Sequence, residues 1–233
     1  MFSKLKTATR LYLTHWKTWL GVGLLYAGVY YTFYFLGGVV EARVPVLSWP
    51  LLALQVLVYI YLLIGVTRLA LSMLEQDRQG QKNAYVQFKT LFTPLDRVAE
   101  PFFLMLSIYG LIVLALQISL QPDFGPELVW LSVLVGLLAY SLVFLVLFLT
   151  QFALPANLYE DKTITEAYGK SLVEAVYRFF STVLVDIVIL MVLFVGYVSQ
   201  VLLFVAVPFG VLLLSTHYLR SVAPAQGSQT ASS

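Results

Sequence analysis

The sequence predicts an all-α integral membrane protein with six transmembrane helices arranged as three hairpins, each preceded by a cytoplasmic in-plane amphipathic helix. Three observations carry this. Of 233 residues, 60% are hydrophobic and 11% charged, with a mean hydropathy of +0.87, whereas soluble domains run at roughly 45–50% apolar and about 25% charged. Six stretches reach the ~20 apolar residues that cross a bilayer's hydrocarbon core. The six-span arrangement puts 13 of the 14 lysines and arginines on one side, as positive-inside topology requires.

In chain order, the first amphipathic segment sets Phe2, Leu5, Tyr12, Trp16 and Trp19 against Lys6, Arg10 and Lys17. The first span follows, from about Trp19 to Val40, and ends in Glu41-Ala42-Arg43. Its long charged leader and the five spans behind it predict a retained helix, not a cleaved signal. Ser48-Trp49-Pro50 opens the second span, Leu51 to Leu71, with proline in the first turn, where a missing amide costs nothing. A second amphipathic segment, Ala84–Leu95, ends at Thr93-Pro94. Glu100-Pro101 opens the third span, which reaches Leu120; the loop Gln121–Glu127 leads to the fourth, Leu128 to Leu154. Thr163-Ile164-Thr165-Glu166 has the form of a capping box. Behind it, Ile164, Tyr168, Leu172, Ala175, Val176 and Phe179 recur at helical spacing, while Glu166, Lys170, Glu174 and Arg178 stand four apart with alternating sign. Ser181 to Tyr218 is long enough for two spans, split near Gly196–Gln200.

Only Arg43 lies opposite the other bases, so both termini are expected in the cytoplasm of a bacterial inner (plasma) membrane. Trp16 and Trp19 fall at the inner interface, Trp49 and Trp130 at the outer one, as aromatic belts do. The net charge of +2 and pI of 8.7 then reflect anionic lipid headgroups as neighbours and no nucleic acid. Lys6, Arg10, Lys17, Lys170 and Arg178 are the expected headgroup contacts. The helix-hairpin units make one membrane domain, residues 1–220, of three pseudo-repeats at about 1–75, 76–158 and 159–220. The small, polar segment 221–233 is expected to be a disordered cytoplasmic tail.

Reactive chemistry is sparse. The absence of cysteine excludes disulfides and thiol catalysis, and no HExxH, GxSxG, P-loop or metal-spaced His/Asp cluster occurs. The chain is therefore expected to be no enzyme and to carry neither cofactor nor metal; Glu160-Asp161 is too small a cluster for a cation site. Asp186 is the one acid well inside a span, and such residues mark ion or proton paths when they face a cavity. At the inner end of its span it is equally explained by headgroups or a neighbouring hydroxyl such as Thr182. His15 and His217 both fall at the inner interface, as a pH-sensitive pair or, with greater weight, as ordinary interfacial residues. Pro208 with Gly210 predicts a kink or gate in the sixth span. Gly23–Ala27 and Ala206–Gly210 have the small-xxx-small spacing of close helix packing. Tyr26, Tyr30, Tyr31, Phe33, Tyr34 and Phe35 form an aromatic cluster read first as packing at the outer interface.

Leu154-Pro155-Ala156-Asn157-Leu158-Tyr159-Glu160-Asp161-Lys162, then Glu166-Ala167 and Lys170-Ser171, form a proline-ended span, an acidic-basic turn and an amphipathic helix. This resembles the YciC-like bacterial inner-membrane proteins and the related membrane domain attached to some glycerophosphoryl diester phosphodiesterases. Gly65, Arg68, the Gln81–Phe92 segment and Tyr218-Leu219-Arg220 are compatible with the same plan. The resemblance implies a six-helix membrane module without a settled activity and supplies no catalytic residues. No phosphodiesterase domain is present, so that activity is not inherited.

Three functions compete. The favoured one is a non-enzymatic module that binds membrane phospholipids, a protein partner or a second copy of itself. The alternatives are a permease or transporter subunit with Asp186 near its pathway, and an accessory subunit of a larger membrane complex that is contacted through the tyrosine-rich first span.

Overall fold

The computed structural model describes residues 2–80, 89–92, 98–120, 129–199 and 202–227. Among them are nine α-helices, two 3-10 turns and no strand. The helices are α1 (Phe2–Thr14), α2 (Trp16–Arg43), α3 (Ser48–Arg78), α4 (Ala99–Leu120), α5 (Val129–Thr150), α6 (Ala153–Glu160), α7 (Ile164–Tyr177), α8 (Phe179–Ser199) and α9 (Leu203–Gly227). Four helical stretches are long and apolar enough to cross a membrane: α2, α3 with the 3-10 turn before it, α5 with α6, and α8. Shorter apolar stretches occupy Ala99–Leu114 and Phe204–Arg220.

Several boundaries differ from the sequence expectation for physical reasons. Helix α3 begins at Ser48 and continues to Arg78, because Met73, Leu74, Glu75, Gln76 and Arg78 are good helix formers and Met73 and Leu74 are buried. The expected fourth span breaks at Gln151–Phe152 into α5 and the short α6. The last helix runs past Arg220 to Gly227; the rest of the tail, 228–233, lies outside the described residues. So does most of Ala84–Leu95, of which Lys89–Leu91 form a 3-10 turn, and so does the whole loop Gln121–Glu127.

The helices divide into two compact units, Met1–Val98 with Phe180–Ser233, and Ala99–Phe179. In the first, α9 packs on α1, α2 and α3. Its core is the C-terminal half of α3, where Ile64, Val66, Leu69 and Met73 are buried, whereas Trp49, Leu52 and Leu54 near the start of α3 are exposed. In lipid, exposed leucine carries no penalty and hydrophobicity does not drive helices together; close packing does. Glycines mark the close approaches. A Cβ on Gly23 would lie 2.8 Å from the Phe204 carbonyl oxygen, and one on Gly65 would lie 2.6 Å from that of Leu91. Proline explains the first contact. Pro208 has no N–H to donate to Phe204, four residues earlier, and its ring crowds that carbonyl. That carbonyl lies against Gly23, at a position where any side chain would clash. Both small-xxx-small segments thus serve packing inside this unit, Gly210 lying against Ile189.

In the second unit, α4 and α5 form a hairpin, and α7 packs on α6, α5 and α4. The Thr163–Glu166 capping box forms, with the Thr163 N–H donating to Glu166 Oε2 at 3.2 Å. From α4, Glu100 Oε1 accepts the next free amide, that of Ile164, at 3.2 Å. Ala167, Ser171 and Ala175 form the buried stripe of α7. Their small side chains admit the close approach that Leu172 and Val176 would block.

Two junctions share one geometry. A single residue, His15 at φ −107°, ψ 29°, separates α1 from α2, and a single residue, Arg178 at φ −110°, ψ 25°, separates α7 from α8. With His15 set against Arg178, the two amphipathic helices match in exposure. Phe2, Lys6, Thr9, Arg10 and Leu13 are exposed on α1, and Thr165, Gly169, Leu172, Val173 and Val176 on α7. Ala8 and Ser171 are the matching buried positions.

Gly65→Ala should lower stability in detergent by about 1–3 kcal/mol, because its new methyl group meets a backbone oxygen that cannot step aside. Gly110→Ala, where an added Cβ meets nothing within 4 Å, should leave stability unchanged or raise it by up to about 1 kcal/mol through helix propensity. Thermal melts of the two variants check this.

Candidate functional site

The largest assembly of buried polar side chains in the first unit joins three helices. Thr182 of α8 and Ser215, Thr216 and His217 of α9 are buried. Lys4 of α1 reaches into this group: its Nζ donates to Ser181 Oγ at 3.0 Å and contacts His217 Nδ1 at 2.6 Å. The other ring nitrogen, Nε2, lies 3.2 Å from Thr182 Oγ1. An ammonium group only donates. The Lys4 contact therefore requires a lone pair on Nδ1, which puts the imidazole proton on Nε2, where it donates to Thr182. The imidazole thus stands between the Lys4 ammonium and the Thr182 hydroxyl. A second proton on the ring would turn the Lys4 contact into two facing donors.

Further contacts fasten α1. Arg10 Nη2 forms an ion pair with Asp77 Oδ2 of α3. Arg220 donates to Thr7 Oγ1 at 2.6 Å. Tyr12 stacks on Trp19 with ring centroids 5.7 Å apart and meets the edge of Phe209 at 5.6 Å. Burial pushes the Tyr12 phenol up from 10.0 to about 12. His15, at the α1–α2 joint, is lowered below 6.5 by burial, an effect that nearby Asp77 partly offsets.

Asp186 is half-buried on α8, one turn beyond Thr182. Pro208 and Gly210 are buried in the first turns of α9. His217 and His15 have different surroundings, the first with Lys4 and Thr182, the second near Asp77. Of the bases expected at headgroups, Lys6 and Lys17 are exposed, and Lys17 lies over the Trp16 ring at 5.9 Å. Arg10 is paired with Asp77. Lys170 lies 3.8 Å from both Glu160 and Glu174, and Arg178 lies 2.9 Å from Glu174.

In the second unit, the polar residues act on the backbone. Ser171 Oγ accepts the Phe152 N–H at 3.1 Å and donates to the Leu149 carbonyl at 2.6 Å. One hydroxyl thus satisfies both sides of the α5–α6 break. Asn157 Nδ2 donates to the Lys162 carbonyl at 2.6 Å, closing the turn in which Asp161 adopts a left-handed φ of 54°. Tyr168 and Ser107 share a hydroxyl contact of 2.6 Å. Ser171, Asn157 and Asp161 belong to the proline-turn-helix pattern seen in the sequence, and each has a fold-forming task.

Sequence reasoning missed Lys4, Ser181 and Ser171. A buried alanine-serine-alanine stripe was the one visible signal for Ser171. Lys4 and His217 stand 213 positions apart, so their pairing emerges only from the tertiary fold. Among the described residues, no three metal-ligating side chains converge. The fold defines an all-helical chain with four helical stretches able to cross a membrane and a half-buried lysine set against a buried histidine and threonine. No known protein family, curated protein or solved structure matches the chain.

His217→Phe removes one of the acceptors of Lys4 and should cost about 1–3 kcal/mol. Lys4→Met combined with His217→Phe should cost less than the sum of the single changes, as measured by denaturation in detergent. Alkali gives a second test. Because the folded Tyr12 ionises near 12 and the unfolded residue near 10.0, its contribution is intact below pH 10 and is lost as pH rises towards 12. Tyr12→Phe should therefore unfold at a higher pH than the parent protein.

Proposed function

We propose that the chain is a six-span membrane module of the bacterial inner membrane, non-enzymatic, with both termini cytoplasmic, which binds phospholipid or a protein partner through its amphipathic helices. In this reading, α2, α3, α4, α5, α8 and α9 are the spans. The second pseudo-repeat is supplied by residues 76–158. The matched joints and exposure of α1 and α7 are the main support, since a repeated helix-joint-span unit is what a collar at one membrane face requires.

The exposed face of α7 favours lipid as the partner. Its first half offers Thr165, Glu166 and Gly169, and its second half Leu172, Val173, Val176 and Tyr177. A helix graded in this way along its axis lies across the headgroup-to-acyl boundary. The charges Lys170, Glu174 and Arg178 are less exposed than these apolar side chains, which suits a helix surrounded by lipid more than one lying on water.

A transport role for Asp186 is the second reading, favoured by its position a turn from the Lys4–His217–Thr182 relay. Against it, the crevice of about 310 Å³ between α8 and α9 is walled by apolar side chains such as Met191, Val195 and Phe209.

The chain contains no cysteine, so single-cysteine variants need no prior engineering. A membrane-impermeant maleimide should label Val46→Cys, in the α2–α3 turn, on intact spheroplasts, and Thr165→Cys only in inside-out vesicles. Labelling of Thr165→Cys on spheroplasts would overturn the topology. Native mass spectrometry after mild-detergent purification should show the chain with retained phospholipid. A stoichiometric ATPase in its place would overturn the proposed role in favour of a permease subunit.

A further inference from the structure

We propose that the end of α2 and the facing part of α3 bind the headgroup of a zwitterionic, amine-bearing phospholipid. The proposal rests on the lipid-binding reading above and assigns that reading a second site, away from the amphipathic helices. An open groove of about 740 Å³ runs along the last turns of α2 to Gln55 of α3. Its wall is aromatic and held in place: Tyr30 stacks on Tyr34 at 6.3 Å and meets the edge of Phe204 at 6.1 Å. Its floor is Gly37 and Gly38, where an added Cβ would meet nothing within 4 Å. At its end stand two exposed groups of opposite sign, Glu41 and Arg43.

This set of groups matches a phosphoethanolamine head. Arg43 offers a planar pair of donors to a phosphate. The ammonium has three kinds of acceptor: the Glu41 carboxylate, the carbonyl end of α2 with its partial negative charge, and the faces of the tyrosines. The two charged side chains sum to zero, as the headgroup does. An anionic lipid such as phosphatidylglycerol would satisfy Arg43 and be repelled by Glu41, which supplies discrimination. Exposed Tyr34 and Phe35 (72% and 70%) continue the groove as an apolar surface along which the acyl chains lie. In the six-span reading, Arg43 is also the one base placed against the positive-inside bias, so its position is costly unless it has a local task.

Glycine makes the test selective. A Cβ at Gly37 meets nothing within 4 Å and Gly37 lines the groove, so Gly37→Leu should occupy the groove and melt like the parent protein. The full chain is purified in mild detergent, stripped of lipid and titrated with palmitoyl-oleoyl phosphatidylethanolamine or phosphatidylglycerol, and bound lipid is counted by native mass spectrometry. The parent should hold one phosphatidylethanolamine with a midpoint about tenfold below that for phosphatidylglycerol. Gly37→Leu and Arg43→Gln should each weaken phosphatidylethanolamine binding about tenfold, and Glu41→Gln should abolish the preference between the two lipids. Equal midpoints in the parent, or parental binding by Gly37→Leu, would overturn the groove while leaving the lipid-binding reading in place. Failure to bind either lipid would overturn both.

Discussion

The structure depends on one constraint: where the surroundings are apolar, every backbone N–H and C=O must find its partner inside the protein. Continuous helices meet it automatically, so the informative places are the interruptions. At the break between α5 and α6, Ser171 serves the Phe152 amide and the Leu149 carbonyl together. At the turn after α6, Asn157 takes the Lys162 carbonyl. At the start of α9, Pro208 leaves Phe204 without its helical donor, and that carbonyl settles against Gly23. Losing Ser171 would leave the buried Phe152 amide and the Leu149 carbonyl without the one hydroxyl that serves both.

The same setting changes what holds the helices together. Lipid tails are as apolar as leucine, so an abundance of exposed leucine and phenylalanine says little about association. Glycine contacts and a few polar ties decide it. In the first unit, Gly23 and Gly65 permit backbone approach, while Lys4, Arg10 and Arg220 fasten α1 to α8, α3 and α9. The Lys4–His217–Thr182 relay belongs to this class of interaction. It ties the half-buried Lys4 to the buried His217 and Thr182 and thereby fixes where the first amphipathic helix lies.

Much of the architecture was legible in the residues. The helical cores of the expected spans, the split after Ser199 and the Thr163–Glu166 capping box are local features, written in hydropathy and in a four-residue motif. The interruption at Gln151–Phe152 was hidden because apolar residues continue across it, and hydropathy does not register a change in backbone direction. The inward face of α7 was misleading for a similar reason. Leu172 and Val176 suggest a packed stripe, yet both are exposed and the small residues, Ala167, Ser171 and Ala175, make the contact. Lys4 read as one of several leader bases, since nothing near it in sequence names a partner that closes only when α1, α8 and α9 assemble.

The central claim is that α7 crosses the headgroup-to-acyl boundary with polarity graded along the helix. Spin labels placed singly at Thr165, Gly169, Leu172 and Val176 in reconstituted protein measure this directly, by the ratio of oxygen to water-soluble nickel accessibility. Over these 11 residues a helix rises about 16 Å, so a tilted α7 predicts nickel access at Thr165 and Gly169 giving way to oxygen access at Leu172 and Val176. Equal nickel access at all four positions would place the helix in water and contradict the account.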